Sequence, residues 1–438
     1  MSARSIAGAL AKIVGADQVA DDPARLAGAA VDGVTPRWVV HATATEQVSA
    51  VLALASEESL AVVPRGSGSA LDLGNPPVRV DIVLDLGGMD RVLEDNPADL
   101  TASVEVGLTA GAFAARLATR RQWLPVDPPG GSLRTLGGLV ATAAHGPLRA
   151  RYGTLRDLLL GVRFVQADGV VTWGGARVVK SVTGYDVPKL MVGSLGTLGV
   201  LCELTLRLHP MPEAEATRLL TFGSVDAAAG FVARLLDSSL EPNRVEFLNG
   251  TALGRLGLEA RIPAAVAVSV GSVEAAARAE GAAIEALAQA EGGQSAPHQG
   301  DFWEPYAAMI EDGGRVLTLH VSSLASQLAA TVRSVERILA EVAPGEAVGL
   351  TGCAALGTLD VLLGASALPI AARFVAQVRG AVAEVGGHAM LRRAPLAVRR
   401  AVDPWGPVEP GPMALMKALR DELDPGRVLN PGRFVGGL

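Results

Sequence analysis

The residues best suited to chemistry in this sequence are glycines set among hydroxyl-bearing side chains, in three stretches of the first half of the chain. The longest, residues 126–146, reads VDPPGGSLRTLGGLVATAAHG. Each glycine costs backbone entropy on folding, so a plain surface loop running into an alanine-rich helix explains this density poorly. Close approach of a ligand explains it better. Glycines admit the backbone to a phosphate, and successive N–H groups at a helix N-terminus form an anion-binding nest. The small residues from Gly138 to Ala144 leave room for a flat cofactor against the following helix. A second loop, Arg65-Gly66-Ser67-Gly68-Ser69, follows an apolar run that ends at Pro64. Leu71 stands where a dinucleotide fingerprint has its third glycine, and no Gly-Lys-Ser/Thr element occurs, so neither the Rossmann nor the P-loop pattern is present. Taken alone this second loop reads as a turn. The third stretch is Gly193-Ser194-Leu195-Gly196-Thr197-Leu198-Gly199. Together the three point to a nucleotide-type cofactor.

Strands and helices must hold these loops in place. Residues 43–56 have helical apolar spacing, with Thr43 or Thr45 available as a cap. Residues 60–63, 81–86, 101–106 and 200–208 read as strands, and 111–121 as a helix. Residues 158–167 and 170–173 read as a hairpin turned by Asp168-Gly169. Beyond Pro212 the composition shifts. Alanine-rich amphipathic helices are expected at 225–236, 273–290 and 324–341, strands at 244–248, 264–270, 316–321 and 348–350, and glycine-rich loops become sparse. Residues 413–423 read as a helix leading into the turn-dense 424–433.

The chain is 438 residues long, 49% hydrophobic and 19% charged, with mean hydropathy +0.33, which suits a folded protein of two or three domains. A net charge of −7 without a basic run argues against a nucleic-acid partner. The two cysteines, Cys202 and Cys353, exclude a disulfide framework and a Cys-x-x-Cys metal or iron–sulfur site within these residues. The first residues read as a short amphipathic helix and not as a signal peptide, and no uncharged apolar run is long enough to span a membrane. A cytoplasmic placement follows as the expectation.

Several motifs in fixed order, Pro64-Arg65-Gly66-Ser67-Gly68-Ser69, Leu136-Gly137-Gly138, Arg151-Tyr152-Gly153, Thr183-Gly184-Tyr185-Asp186, Gly196-Thr197-Leu198-Gly199 and the tail Leu429-Asn430-Pro431-Gly432-Arg433, resemble the vanillyl-alcohol-oxidase-type (PCMH-type) FAD-binding proteins. Lys180-Ser181-Val182-Thr183, Phe302-Trp303 and Gly386-Gly387-His388-Ala389 resemble the FAD-binding subunits of bacterial glycolate oxidases in particular. The resemblance implies an α+β fold: a two-part FAD-binding domain over 1–212, with lobes of about 30–105 and 106–212, an inserted α+β cap over 213–400, and a segment 401–438 packing back on the FAD domain. It also implies that FAD is held by Pro64, Arg65, Gly66, Ser67, Gly68, Ser69, Pro129, Gly131, Ser132, Thr135, Leu136, Gly137, Gly138, Ala141, Thr142, His145, Gly146, Gly153, Gly199 and Val200. Some relatives attach the flavin through a histidine near the first glycine loop. Ser69 occupies that place here, so non-covalent binding is expected, with no metal.

Oxidation of a 2-hydroxy acid, the activity the resemblance implies, needs a base for the hydroxyl proton and a cation for the carboxylate. His388 with Arg392 and Arg393 supplies both types, and Tyr185 is a further catalytic candidate. The bland alternatives are a turn-capping His388 with solvated arginines, a backbone-bonded His145, and a Tyr185 that only fixes its loop. Arg134 has two candidate partners, a cofactor phosphate or Asp127. The cap lacks the His-Gly-Asp-Gly-Asn-like motif of the catalytic partner subunit. Hence the expected partners are a small 2-hydroxy acid, a second flavoprotein subunit and an iron–sulfur subunit, with membrane attachment only through such partners. A self-sufficient FAD oxidase and a flavin-bearing structural subunit stand as the alternatives.

Overall fold

The computed structural model describes residues 2–176, 184–296, 300–311 and 317–438. The Lys180-Ser181-Val182-Thr183 segment lies outside them. The apolar runs of the first lobe become a four-stranded sheet ordered Val19–Ala20, Trp38–His41, Ile82–Asp85, Val62–Arg65, of which the last three are parallel. Helix Thr45–Glu57 packs Val48, Val51, Leu52 and Ala55 into the core. It is capped by neither threonine. Ala44 is the cap residue, and the Gln47 side chain reaches back to accept from Thr43 N at 2.8 Å.

A five-stranded antiparallel sheet follows, ordered Val92–Asn96, Thr101–Glu105, Val200–Arg207, Leu159–Val165, Val171–Gly175. The Asp168-Gly169 turn closes the hairpin, with Gly169 at φ +91°. The lobe division expected near residue 105 lies earlier, between Asp85 and Val92, because Val92–Asn96 and Thr101–Glu105 pair into this second sheet. One apolar core, from Ile6 to Leu208, runs through both sheets.

From Ala214 the chain builds an eight-stranded antiparallel sheet. Its order is Gln294–Ala296, Ala214–Phe222, Ala264–Ser272, Arg244–Asn249, Val348–Cys353, Thr358–Leu363, Leu317–Ser322, His388–Arg393. Helices Val225–Asp237, Glu274–Ala290, Leu328–Val342 and Ala371–Ala383 bury their apolar stripes against one face, meeting Phe247, Val266, Leu319, Val361 and Leu391. Side chains alternate across a strand. Glu246, His320 and Asp360 therefore point to the opposite face, toward the first two sheets. The 388–393 segment, weighed above as a possible turn, is the edge strand of this sheet.

The tail returns to the first lobe. Val62 N donates to Val428 O at 2.7 Å and Asn430 N to Val62 O at 2.9 Å, so residues 428–430 extend the parallel sheet. Buried Arg420 secures them by donating to the Thr197 and Leu429 carbonyls and pairing with Asp424 at 3.0 Å. Among the described residues no helix is long and apolar enough to cross a membrane.

Candidate active site

A cleft opens where the glycine stretches converge. Pro64, Arg65, Gly66, Ser67, Gly68 and Ser69 form one wall, Thr135, Gly137, Gly138, Ala141 and Thr142 the next, and Gly199 with Val200 the third. Arg65 is locked at the strand end by Asp85, with Nη2 to Oδ2 at 2.6 Å. Thr135 caps helix Leu136–Ala141, accepting from Gly138 N. The glycines serve packing as much as ligand approach. A Cβ on Gly66 would run into the Thr135 side chain, one on Gly137 into Val106 at 2.6 Å, and one on Gly199 into the Phe164 ring at 2.5 Å. Leu195, Gly196, Asn430 and Arg433 make the fourth wall, of which sequence reasoning had the glycine stretch but did not assign the two tail residues to the cofactor.

Not every expected cofactor residue is brought here. Leu136 turns into the core at 1% exposure. Gly131 and Ser132 lie in the short turn Gly131–Leu133, and Gly153 ends helix Arg149–Tyr152 against Asp157, all outside the cleft wall. Pro129, His145 and Gly146 line a deeper cavity instead. Arg134 lines the cleft, whereas Asp127 pairs with Arg244 of the eight-stranded sheet at 2.8 Å.

A middle chamber lies between the two, sharing Thr142 and Arg134 with the cleft and Pro129 and Arg392 with the deeper cavity. The deeper cavity is the inner of the three. Its walls carry His145, Arg149, Glu246, Tyr306, Asp360 and Arg392. His320 and Asp360 are register partners on adjacent strands, and His320 Nδ1 meets Asp360 Oδ1 at 2.7 Å. A carboxylate can only accept, so Nδ1 carries the proton and Nε2 keeps its lone pair. Arg392 Nη2 donates to His145 Nδ1 at 2.8 Å, and its Nη1 lies 3.6 Å from Asp360 Oδ2. A guanidinium only donates, so the His145 proton sits on Nε2. The two imidazoles lie 5.7 Å apart and are opposite tautomers, one offering a lone pair at Nε2 and the other an N–H.

Charge within this cluster follows from burial. Burial pushes His145 well below the usual histidine value, and Arg392, Arg149 and His320 push it the same way. Burial also lowers His320, with Asp360 opposing. For Asp360 burial works against ionisation, yet His320, Arg392 and Arg149 outweigh it and hold the carboxyl at about 2. Both histidines are thus neutral beside an ionised carboxylate. Burial pushes Cys202 and Cys353 up to about 12, so neither supplies a thiolate.

The catalytic candidates separate. Arg392 and Arg393 sit at a β-bulge, where Arg393 pairs with Thr318 and Leu391 with Leu319. The extra residue lets both guanidiniums reach the chambers, Arg393 donating to Glu311 O at 2.9 Å. His388 is the correction. It pairs with Ser322 at the far end of the same strand and is exposed, four residues or about 13 Å from Arg392 at strand rise. Tyr185 is 96% exposed and lines none of these cavities. His320 and Asp360 take the place given to His388. Their signal was a lone ionisable residue in each of two apolar strands, LTLHVS and TLDVLL.

Two family models match the chain in tandem: FAD binding domain over residues 36–175, and FAD linked oxidases, C-terminal domain, over residues 211–387. The chain belongs to the PCMH-type FAD-linked oxidases. It is 33% identical over 218 residues to the glycolate oxidase subunit GlcD of Bacillus subtilis (strain 168), covering 50% of this chain and 46% of that one. It is 34% identical over 217 residues to a probable mitochondrial D-lactate dehydrogenase of Danio rerio, covering 49% and 43%. The match thus spans about half the length of these relatives or less. Among solved structures, an alkyldihydroxyacetonephosphate synthase superposes with TM-score 0.76 at 15% identity, over 98% of this chain and 85% of that one. A 4-ethylphenol oxidase from Gulosibacter chungangensis gives 0.75 at 16%, over 98% and 96%. These likenesses establish the fold. FAD is the cofactor, and the cleft fits it: Asn430 Oδ1 and Arg433 Nε are buried there without protein partners. Burial lowers Arg433 to about 10, which leaves it cationic for a phosphate.

Proposed function

We propose that this FAD-linked oxidase removes two electrons from a small 2-hydroxy acid bound in the deeper cavity. The observation that carries the reading is the His320–Asp360 pair, whose Asp360 lines the deeper cavity beside two guanidiniums, Arg392 and Arg149. FAD, when bound, supplies the acceptor for the hydride from the substrate α-carbon. His320 Nε2 accepts the hydroxyl proton, and Asp360 holds the tautomer and favours the resulting imidazolium. Arg392 and Arg149 hold the carboxylate, and His145 Nε2–H donates to an oxygen of the substrate.

Anaerobic addition of glycolate or D-lactate to the FAD-loaded protein tests this. His320→Ala is expected to slow flavin bleaching by roughly 10²- to 10⁴-fold, while His388→Ala bleaches at the wild-type rate. Loss of bleaching only in His388→Ala would return the base to that strand end. We further propose non-covalent FAD, since Ser69 carries no imidazole, with electrons leaving to a separate iron–sulfur subunit beside a second flavoprotein subunit. Flavin released into the supernatant on heating, and an iron–sulfur protein copurifying with the chain, are the expected results. The competing reading, a self-sufficient oxidase, gains from turnover by the isolated chain with a soluble acceptor.

A further inference from the structure

Glu246 lies at the floor of the deeper cavity and has no role in the proton transfer above. It is 3% exposed, and its Oε1 is buried without any hydrogen-bond partner. Its Oε2 meets Tyr306 Oη at 2.6 Å, Tyr306 Oη meets Thr351 Oγ1 at 2.8 Å, and Thr351 Oγ1 meets Phe247 O at 2.8 Å. This row has three hydrogen bonds, but its two hydroxyls supply only two protons, and the Phe247 carbonyl at its end can only accept. The third proton must come from Glu246. Thr351 then donates to Phe247, Tyr306 to Thr351, and the Glu246 carboxylic acid to Tyr306.

We infer that Glu246 is a neutral acid whose free Oε1 offers an uncharged acceptor to the occupant, and that this neutrality tunes the cavity for a monoanionic carboxylate. The inference rests on the hydroxy-acid reading and adds its charge rule. With Glu246 neutral, two guanidiniums, Arg149 and Arg392, face one carboxylate, Asp360, and the neutral imidazole of His145. One anion completes the balance. With Glu246 ionised the walls already cancel, and a carboxylate has no net attraction to enter. The groups facing Glu246 agree with its protonation. Burial raises its proton affinity to about 8, with Asp127 and Asp360 adding to it and Arg149 opposing. Arg244 on the same strand is taken up by Asp127 and Glu215, and Cys353 opposite it is an uncharged thiol.

Binding of oxamate, an unreactive monocarboxylate, to the oxidised FAD-loaded protein tests this through the flavin spectrum. The wild-type Kd should hold steady up to about pH 8 and then rise about tenfold per pH unit. Glu246→Gln keeps an N–H for Tyr306 and a carbonyl at Oε1, so its Kd should match wild type at neutral pH and stay flat above it. A second readout needs no ligand. The folded protein keeps a proton that the unfolded chain releases in the ordinary carboxylate range. Wild-type thermal stability should therefore decline, relative to Glu246→Gln, as pH rises from that range toward about 8. Parallel curves for the two proteins in both assays, or a Glu246→Gln chain that does not fold, would overturn the proposal. If oxamate binds neither protein while the stability difference is present, the hydroxy-acid reading and the ligand class fall, and the protonated Glu246 stands.

Discussion

His320 shares strand Leu317–Ser322 with Leu319 and Val321, both fully buried, so its own burial needs a partner. Asp360 is that partner, and the hydrogen bond fixes which nitrogen is free to act. Replacing Asp360 by Asn leaves the volume unchanged but no longer commands the Nδ1–H tautomer. Flavin reduction by a 2-hydroxy acid should fall by roughly 10²-fold or more, measured by anaerobic stopped flow. The pH dependence has a defined sign. In the proposed mechanism the base is neutral His320, whose proton affinity burial has lowered. The reduction rate should therefore climb as pH rises through a value below 6.5 and be level at neutrality. A climb centred above that value would show that another group carries the proton.

At the scale of elements, the cofactor loops work because each is pinned from behind. Gly66 backs onto Thr135, the residue that caps the next cofactor helix, so one contact sets two walls of the cleft. Gly66→Ala must push that helix start away, at a cost of about 1–3 kcal/mol, and should lower the flavin-to-protein ratio of the purified chain. These loops were legible because their composition is local: glycine, proline and hydroxyl residues at strand ends mark turns wherever the rest of the chain goes. The edge strand His388–Arg393 was not legible. Its GGHAMLRR sequence has the glycines of a turn and few strand formers, and it is a strand because Leu317–Ser322 offers it a ladder. The bulge that re-aims Arg392 and Arg393 exists only in that pairing.

For the whole molecule, what matters is how the eight-stranded sheet is held over the cofactor cleft. Ion pairs span the gap, two of them with largely buried side chains. Arg244 meets Asp127 at 2.8 Å, and Arg399 meets Asp32 with Nη1 to Oδ2 at 2.8 Å. The second pair is 3% and 6% exposed at its side chains, out of reach of screening salt. Removing one partner strands the other charge, so Arg399→Ala should cost about 3–5 kcal/mol in denaturant unfolding, with little change on adding salt. By itself the sequence carried the FAD-linked fold, its FAD cofactor and the shift in composition near Pro212, all in contiguous residues. Only the tertiary structure brings His320 to Asp360, closes the cleft with Asn430 and Arg433 of the tail, and leaves Glu246 Oε1 buried without a partner. Each of those depends on residues far apart in the chain meeting where water is excluded, and local spacing records neither the meeting nor the burial.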